Sequence, residues 1–136
     1  MDVRAYTAED LAGVDALWRE VFPDDPPWNR AEVAVPAKLA VQPELFLVAS
    51  DGTRIVGTVM GGYDGHRGWI YALAVAASER RQGIAASLMS AIEARLHDAG
   101  CRKINLQVRA GNEVVIDFYR RLGYDVEERV SMGKRL

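Results

Sequence analysis

A chain of 136 residues has the length of one compact domain, and its 49% hydrophobic content is enough for a core without a metal or disulfide. The net charge of −2 argues against a broad nucleic-acid surface, and the single Cys101 excludes an intrachain disulfide, as in a reducing compartment. No apolar run is long enough to cross a bilayer and no secretory leader is visible, so we predict one cytoplasmic domain, 1–136, without membrane, nucleic-acid or metal partners.

The first part of the chain predicts a strand and two helices. A short strand is expected over Val3–Tyr6, and Thr7 with Asp10 forms a variant of the capping box before a helix. Apolar residues at helical spacing over Leu11–Val21 predict the first helix, which a proline-rich segment ends. Because proline breaks a helix interior, we expect Pro36 at the first position of a short second helix after a loop.

A hairpin and a central strand follow. Leu45–Ser50 is an almost continuous apolar run, and the Asp51-Gly52 turn predicts that Arg54–Tyr63 returns as its antiparallel partner. The glycines of this second strand predict a bend or a bulge near its end. Alternation over Trp69–Val75 predicts the central strand. The side chains placed on one of its faces are Trp69, Tyr71, Leu73 and Val75.

The second half of the chain alternates helices and strands. Apolar residues at every fourth position over Ile84–Leu96 predict a helix, which Gly100 ends as a left-handed C-cap. Lys103–Val108 alternates and is expected to lie parallel to the central strand. The last helix begins at Asn112 as its N-cap, and Tyr124–Met132 is expected to supply a final strand.

The turn between the central strand and the long helix is basic and contains a glycine. It has the sequence Arg80-Arg81-Gln82-Gly83-Ile84. The first N–H groups of a helix are unpaired and carry a partial positive charge, and both properties favour a phosphate. Gly83 lacks a Cβ, so an anion can approach the backbone closely. The residues alone leave two interpretations open, a phosphate site and an ordinary strand-to-helix turn.

This turn also carries a family resemblance. The pattern Arg80-x-x-Gly83-x-Ala85 after a strand resembles the acyl-CoA pyrophosphate loop of the GNAT superfamily of N-acetyltransferases. Downstream, Asn112 and the Phe118–Tyr124 tract resemble the second half of that family's cofactor site. The tracts that are similar to the small bacterial YpeA-type acetyltransferases are Pro27–Asn29, Val56–Gly68 and Ser131–Leu136.

The resemblance implies a fold. It is the α/β (α+β) GNAT fold, with a mixed, mostly antiparallel central sheet of about six to seven strands and about four flanking helices. The element order β-α-α-β-β-β-α-β-α-β is the arrangement that the family shows. In that family the central strand and the next strand splay apart, and the pantetheine arm of the cofactor lies in the gap.

The resemblance also implies an activity and a set of site residues. The chain is expected to transfer the acetyl group of acetyl-CoA to a primary amine by direct attack in a ternary complex. Tyr119 would protonate the departing CoA thiolate, the backbone N–H of Val75 would stabilise the oxyanion, and Asn112 would contact the cofactor. The other cofactor-binding residues implied are Leu73, Ala74, Arg80, Arg81, Gln82, Gly83, Ile84, Ala85 and Ala86.

Two parts of the reaction are less defined. Many members of the family place a glutamate on the central strand or the next one, but the matching segments here contain no carboxylate. We therefore expect a water relay to solvent past Tyr71, Asp64 or His66, with turn chemistry as the alternative role of Asp64 and His66. The acceptor site is expected to include Trp28 and Asn29 beside acidic residues that attract an amine, or this loop is only a solvated acidic segment.

A second class of function stays open at this level. The chain could bind acyl-CoA as a sensor or regulatory module without catalysis, an interpretation that the missing carboxylate favours. The patterns do not identify the acceptor, a small molecule or a peptide, nor do they distinguish a monomer from a homodimer.

Overall fold

The computed structural model describes residues 1–136 and shows one five-stranded sheet in the order β1-β2-β3-β4-β5. The first four strands pair antiparallel, and β5 pairs parallel with β4. This sheet confirms the predicted α/β fold class, although the strands number five. Their bounds are β1 Asp2–Ala5, β2 Phe46–Ser50, β3 Ile55–Tyr63, β4 Gly68–Val75 and β5 Ile104–Asn105.

Two of the four α-helices cover opposite faces of the sheet. A methyl group on Gly61 would lie 2.9 Å from Cγ1 of Ile92, so the glycine lets α3 pack closely on one face. The indole of Trp18 on α1 bonds to Thr58 on the other face. The buried residues confirm the predicted apolar row of the third helix. In the first helix they confirm it for Val14, Leu17 and Trp18, whereas Leu11 is 39% exposed. The helices are α1 Leu11–Val21, α2 Ala31–Leu39, α3 Ile84–Asp98 and α4 Glu113–Arg121.

The chain divides into two compact units, residues 1–106 and residues 107–136. The first contains the whole sheet with α1, α2 and α3. The second contains α4, whose N-cap is Asn112 and whose end is marked by Gly123 with a φ of +97°, as predicted. The assignment of 1–136 to a single domain stays a prediction.

The turn before α1 forms as the sequence predicts. The backbone N–H of Thr7 donates to Oδ2 of Asp10 at 2.8 Å, and the guanidinium of Arg4 binds both oxygens of the same carboxylate at 2.7 and 2.9 Å. The Arg4 contact lowers the pKa of Asp10, whose side chain is buried. This carboxylate therefore joins β1 to the start of α1.

The predicted start of the second helix is wrong. Helix α2 begins at Ala31, and Pro36 lies inside it. A proline inside a helix removes one hydrogen bond and costs roughly 3 kcal/mol. Burial of Ala31 and Val35, each 1% exposed, offsets that cost, so the packing of the preceding turn decides where the helix begins.

The predicted final strand over residues 124–132 is also wrong. This segment forms no ladder with any strand. Its apolar side chains, Val126, Val130 and Met132, are 67%, 88% and 91% exposed. Without apolar burial, a strand at the end of a chain gains little from pairing, and this accounts for the lower strand count.

No helix of the chain has both the length and the apolarity that crossing a membrane requires.

Candidate functional site

Strand β4 carries a bulge in its middle. Residues 72 and 73 lie opposite the single Val59, because Thr58 pairs with Ala74 and Met60 pairs with Tyr71. Ala72 has a φ of +51°, in the left-handed region that a residue with a Cβ rarely adopts. The sequence predicted an irregularity near the end of β3, and the structure places it in the middle of that strand.

A buried hydroxyl supports the bulge. Oγ1 of Thr58 donates a hydrogen bond of 2.8 Å to the carbonyl oxygen of Ala72 and accepts one of 2.9 Å from Nε1 of Trp18. Thr58 is fully buried, so both polar groups are satisfied within the core. The bulge is therefore attached to α1 through Thr58.

The bulge changes which side chains of β4 lie on the same face, so the predicted faces are wrong. A one-residue insertion moves every later side chain to the opposite face. Tyr71 pairs with Met60 and Ala74 pairs with Thr58, so these two residues, three apart along β4, lie on the same face of the sheet. Trp69 and Tyr71 therefore do not share a face with Leu73 and Val75, although the alternation predicted that they would, and the side chains of Leu73 and Val75 are half-buried.

One edge of β4 is largely unpaired. Strand β5 pairs only with Gly68 and Trp69, at the beginning of β4. The N–H of Ala76 donates to Val56 on β3 at 2.9 Å, and successive N–H groups of a strand point to opposite edges. The N–H of Val75 therefore points to the edge away from β3, where β5 does not reach. The predicted β5 was longer, and its parallel direction is confirmed.

The turn after β4 ends in a set of free backbone donors. Gly83 has a φ of +79° and is the N-cap of α3, and a methyl group there would meet no atom within 4 Å. Arg81 also has a positive φ, of +67°. The N–H groups without a partner in the structure are those of Gln82, Gly83, Ile84, Ala85 and Ala86. This open cradle of donors at a helix start fits the predicted pyrophosphate.

Three side chains fix the segment between β4 and this turn. Oε2 of Glu20 accepts a hydrogen bond of 2.8 Å from the N–H of Ala77. Nη2 of Arg54 binds Glu79 at 3.0 Å. Nε of Arg80 donates to the carbonyl oxygen of Val75 at 3.3 Å. Arg80, which is predicted to bind the phosphate, therefore also contacts the unpaired edge of β4.

The second unit holds the two remaining predicted cofactor residues. Oδ1 of Asn112 accepts from the N–H of Val115 at 3.4 Å, which confirms its role as an N-cap. Tyr119 is 9% exposed, and its ring contacts those of Phe118 and Tyr124. Burial raises the pKa of Tyr119 to about 12, so its phenol stays protonated at neutral pH. Their assignment to the cofactor site stays a prediction.

The residues predicted for the water relay lie at the turn between β3 and β4 and on β4. Oδ1 of Asp64 accepts from the N–H of His66 at 2.7 Å and of Arg67 at 2.8 Å. These bonds, that of Arg67 first, lower the pKa of Asp64, so the carboxylate is a weak base. The contacts are those of a turn. Burial, followed by the charge of Asp64, raises the pKa of Tyr71.

The predicted acceptor loop is exposed. Trp28 and Asn29 lie in a 3₁₀ turn, Pro27–Asn29, between α1 and α2, and Trp28 is 46% exposed. The acidic residues before this turn, Asp24 and Asp25, make no ion pair with a basic side chain. No group of three or more His, Cys, Asp and Glu side chains that could hold a metal is present.

Sequence reasoning missed Lys38. Its Nζ donates to the carbonyl oxygen of Gly61 on β3, and burial lowers the pKa of the ammonium. The signal was present, because Lys38 follows the buried Val35 by three residues and so lies near the same face of a helix. Beginning the helix at Pro36 concealed that relationship.

Comparison with known proteins places this chain among acetyltransferases. The acetyltransferase (GNAT) family matches residues 12–124. An acetyltransferase of Yersinia pestis is 43% identical over 136 residues, which span 100% of this chain and 96% of the relative. An acetyltransferase of Pectobacterium atrosepticum is 44% identical with the same coverage. The fold is similar to that of AAC(6')-Iy in complex with the bisubstrate analogue CoA-S-monomethyl-acetylneamine, with a TM-score of 0.82, 18% identity, and coverage of 99% of this chain and 97% of that one.

Proposed function

Because the chain belongs to the acetyltransferase (GNAT) family, and is therefore an acyltransferase that uses acetyl-CoA, we propose that its acceptor is a primary amine, which attacks the bound acetyl group directly in a ternary complex. In a direct attack the acetyl group passes from the thioester to the amine, and no acyl-enzyme forms. The alternative of a non-catalytic acyl-CoA sensor is disfavoured, because relatives that match the whole chain are named acetyltransferases.

The observation that carries the proposal is the donor cradle at the start of α3. Five consecutive N–H groups from Gln82 to Ala86 have no partner, and Gly83 leaves the space in front of them open. Bound there through its pyrophosphate, acetyl-CoA supplies the acetyl group as an activated thioester. Arg81 adds a positive charge to the same turn, which strengthens the attraction for a phosphate.

The unpaired edge of β4 would orient the rest of the cofactor. Leu73, Ala74 and Val75 offer main-chain groups next to the bulge, and an amide-rich arm can bind such an edge as an added strand does. The N–H of Val75, which points to that edge, is the proposed oxyanion donor. The bulge supported by Thr58 sets where this N–H lies.

Tyr119 is the proposed general acid. Its burial and its raised pKa keep a proton on the phenol at any pH at which the enzyme would work. Against an unperturbed thiol, whose pKa is about 8.5, donation from a phenol at about 12 is uphill by roughly 5 kcal/mol. The proposal therefore requires an environment that also raises the pKa of the leaving thiol, as exclusion of water does. Asn112 is proposed to contact the cofactor besides capping α4.

Deprotonation of the acceptor is proposed to occur through water. Strands β4 and β5 contain no carboxylate. The two hydrogen bonds that Asp64 accepts make it a poor base, which leaves solvent water near Tyr71 as the path. Matching pH–rate profiles for the parent, Asp64→Asn and His66→Ala would remove both side chains from the relay. Trp28 and Asn29 are proposed to line the acceptor side.

The experiment that tests the function is a steady-state assay of thiol release from acetyl-CoA with a panel of primary amines, with mass spectrometry of the products. Tyr119→Phe is assayed in parallel, and acetyl-CoA binding by each protein is measured by calorimetry. We expect an acetylated amine with the parent and a kcat lowered about 10²–10⁴-fold in Tyr119→Phe with unchanged acetyl-CoA affinity. Binding of acetyl-CoA without acetylation of any amine would contradict the proposal.

A further inference from the structure

The half-buried ammonium of Lys38 has no counter-ion. One of its three N–H groups bonds to the carbonyl oxygen of Gly61, and no carboxylate forms an ion pair with it. Glu44 acts on it only through its charge at longer range. A cation that is partly removed from water without a paired anion is unfavourable, so Lys38 has unused capacity to bind an anion.

Beside Lys38 there is room for one more carbon atom at Gly62, in ordinary van der Waals contact with its surroundings. A methyl group on Gly62 would lie 4.0 Å from Nζ of Lys38, 3.9 Å from Cε2 of Tyr71 and 3.8 Å from Oε1 of Gln42. The Gln42 amide is already engaged, since it accepts from the N–H of Tyr63 at 3.0 Å and donates to the carbonyl oxygen of the same residue at 3.0 Å. Of the groups around this gap, Lys38 carries the positive charge, and it has N–H groups left after its bond to Gly61.

The gap lies beside the strand that is proposed to hold the thioester. Gly62 pairs with Trp69 and Met60 pairs with Tyr71, so Gly62 and Tyr71 point to the same face of the sheet. Along the chain, Tyr71 comes immediately before the bulge at Ala72. An acceptor whose amine reached the thioester could thus place a group a few bonds away from that amine near Lys38.

We propose that Lys38 and the gap at Gly62 form the subsite that binds a carboxylate of the acceptor. The acceptor is then an amine that carries an acid group close to it, as a free amino acid does. The inference rests on the proposed acetyl transfer and narrows its substrate class. A polyamine, which carries cations and no anion, would meet the Lys38 ammonium with repulsion.

The test compares matched acceptors with matched variants. Free amino acids are each paired with the corresponding amino acid amide, which keeps the amine and removes the carboxylate. Thiol release from acetyl-CoA gives kcat/KM for both members of each pair. The variants are Lys38→Met, which removes the charge, and Lys38→Arg, which keeps it. Gln42→Ala, which loosens the same edge of β3 without changing a charge, is the control.

We expect the parent to favour the acid over its amide by at least about 10-fold in kcat/KM, the effect of a charge-assisted hydrogen bond. Lys38→Met should lower kcat/KM for the acid about 10–100-fold and leave that for the amide unchanged. Lys38→Arg and Gln42→Ala should keep the preference for the acid.

Several outcomes would overturn the subsite. An equal loss for acid and amide in Lys38→Met, or loss of the preference in Gln42→Ala, would show that Lys38 only supports the edge of β3. Acetylation of the amides at the same rate as the acids by the parent would leave the proposed function intact and remove the inference. Acetylation of neither set would contradict the subsite, while the proposed function would still be decided by the wider panel of primary amines.

Discussion

The hydroxyl of Thr58 donates a hydrogen bond of 2.8 Å to the carbonyl oxygen of Ala72, the residue at which β4 adopts a left-handed conformation. Because the same hydroxyl accepts from the indole of Trp18, the bulge, the core and α1 share one buried polar contact. The chemistry proposed for this enzyme depends on the strand that this contact shapes.

Removal of this hydroxyl should affect both stability and activity. Thr58→Val leaves the indole N–H and the Ala72 carbonyl without partners inside the core, and we expect the free energy of unfolding to fall by about 1–3 kcal/mol. The N–H of Val75 should lose its position, so kcat should fall as well. Urea unfolding and steady-state kinetics measure the two effects. Thr58→Ser, which keeps the hydroxyl, should retain kcat, and a loss of kcat in this variant as large as in Thr58→Val would contradict the account.

The raised pKa of Tyr119 predicts how the reaction rate depends on pH. Because its pKa is raised to about 12, the acid form is complete at every lower pH and is lost only as the pH rises through that value. The rate with a saturating amine should therefore show no alkaline decline from this group up to about pH 10. A decline with a midpoint near pH 9 that is absent in Tyr119→Phe would contradict the raised pKa of Tyr119.

Glu20 should act on cofactor affinity through the segment that it fixes. Glu20→Ala removes the 2.8 Å bond to the N–H of Ala77, ahead of the donor cradle. A loss of one hydrogen bond to a charged group predicts a KM for acetyl-CoA that is raised about 3–10-fold, with kcat preserved. Asp98→Ala, at the exposed end of α3, is the matched control and should leave KM unchanged. Equal KM values in all three proteins would show that Glu20 does not order the loop.

The lowered pKa of Asp10 predicts how the free energy of unfolding changes at acid pH. Its pKa is lowered, mainly by Arg4, so its contribution to stability is present above the unfolded value of about 3.9 and is lost as the pH falls through the lower folded value. Asp10→Asn should lower the free energy of unfolding by about 2–3 kcal/mol at pH 7. The difference from the parent should shrink below pH 4. Asp15→Asn, in an exposed pair with Arg19, should change stability much less. A constant difference between Asp10→Asn and the parent from pH 7 to pH 3 would exclude the ionised pair.

The parts of the fold that the sequence predicts are those set by local patterns. The four-residue apolar spacing from Ile84 to Leu96 identifies α3 because a helix face is a local property. Thr7 and Asp10 identify the start of α1 for the same reason. The donor cradle was predictable because a glycine, a helix start and a preceding strand are all visible in one short segment.

The parts that the sequence does not predict depend on tertiary packing. Pro36 lies inside α2 because buried residues elsewhere in that helix offset its cost. The bulge at Ala72 reverses the faces of β4, and alternation alone does not show a single inserted residue. The sequence did not predict the contact of Lys38, because its hydrogen bond is made to the carbonyl oxygen of Gly61, which is 23 residues away.

The most direct test of the central claim is acetyl-CoA binding by calorimetry for the parent, Gly83→Glu and Gly52→Glu. Both glycines have a positive φ, +79° and +96°, and a side chain at either would enter open space, so the backbone strain is alike. Only Gly83 lies at the donor cradle. We predict binding in the micromolar range for the parent and Gly52→Glu, and an affinity at least about 100-fold weaker for Gly83→Glu, because a carboxylate would occupy the phosphate position. Equal affinities of the three proteins would contradict the account.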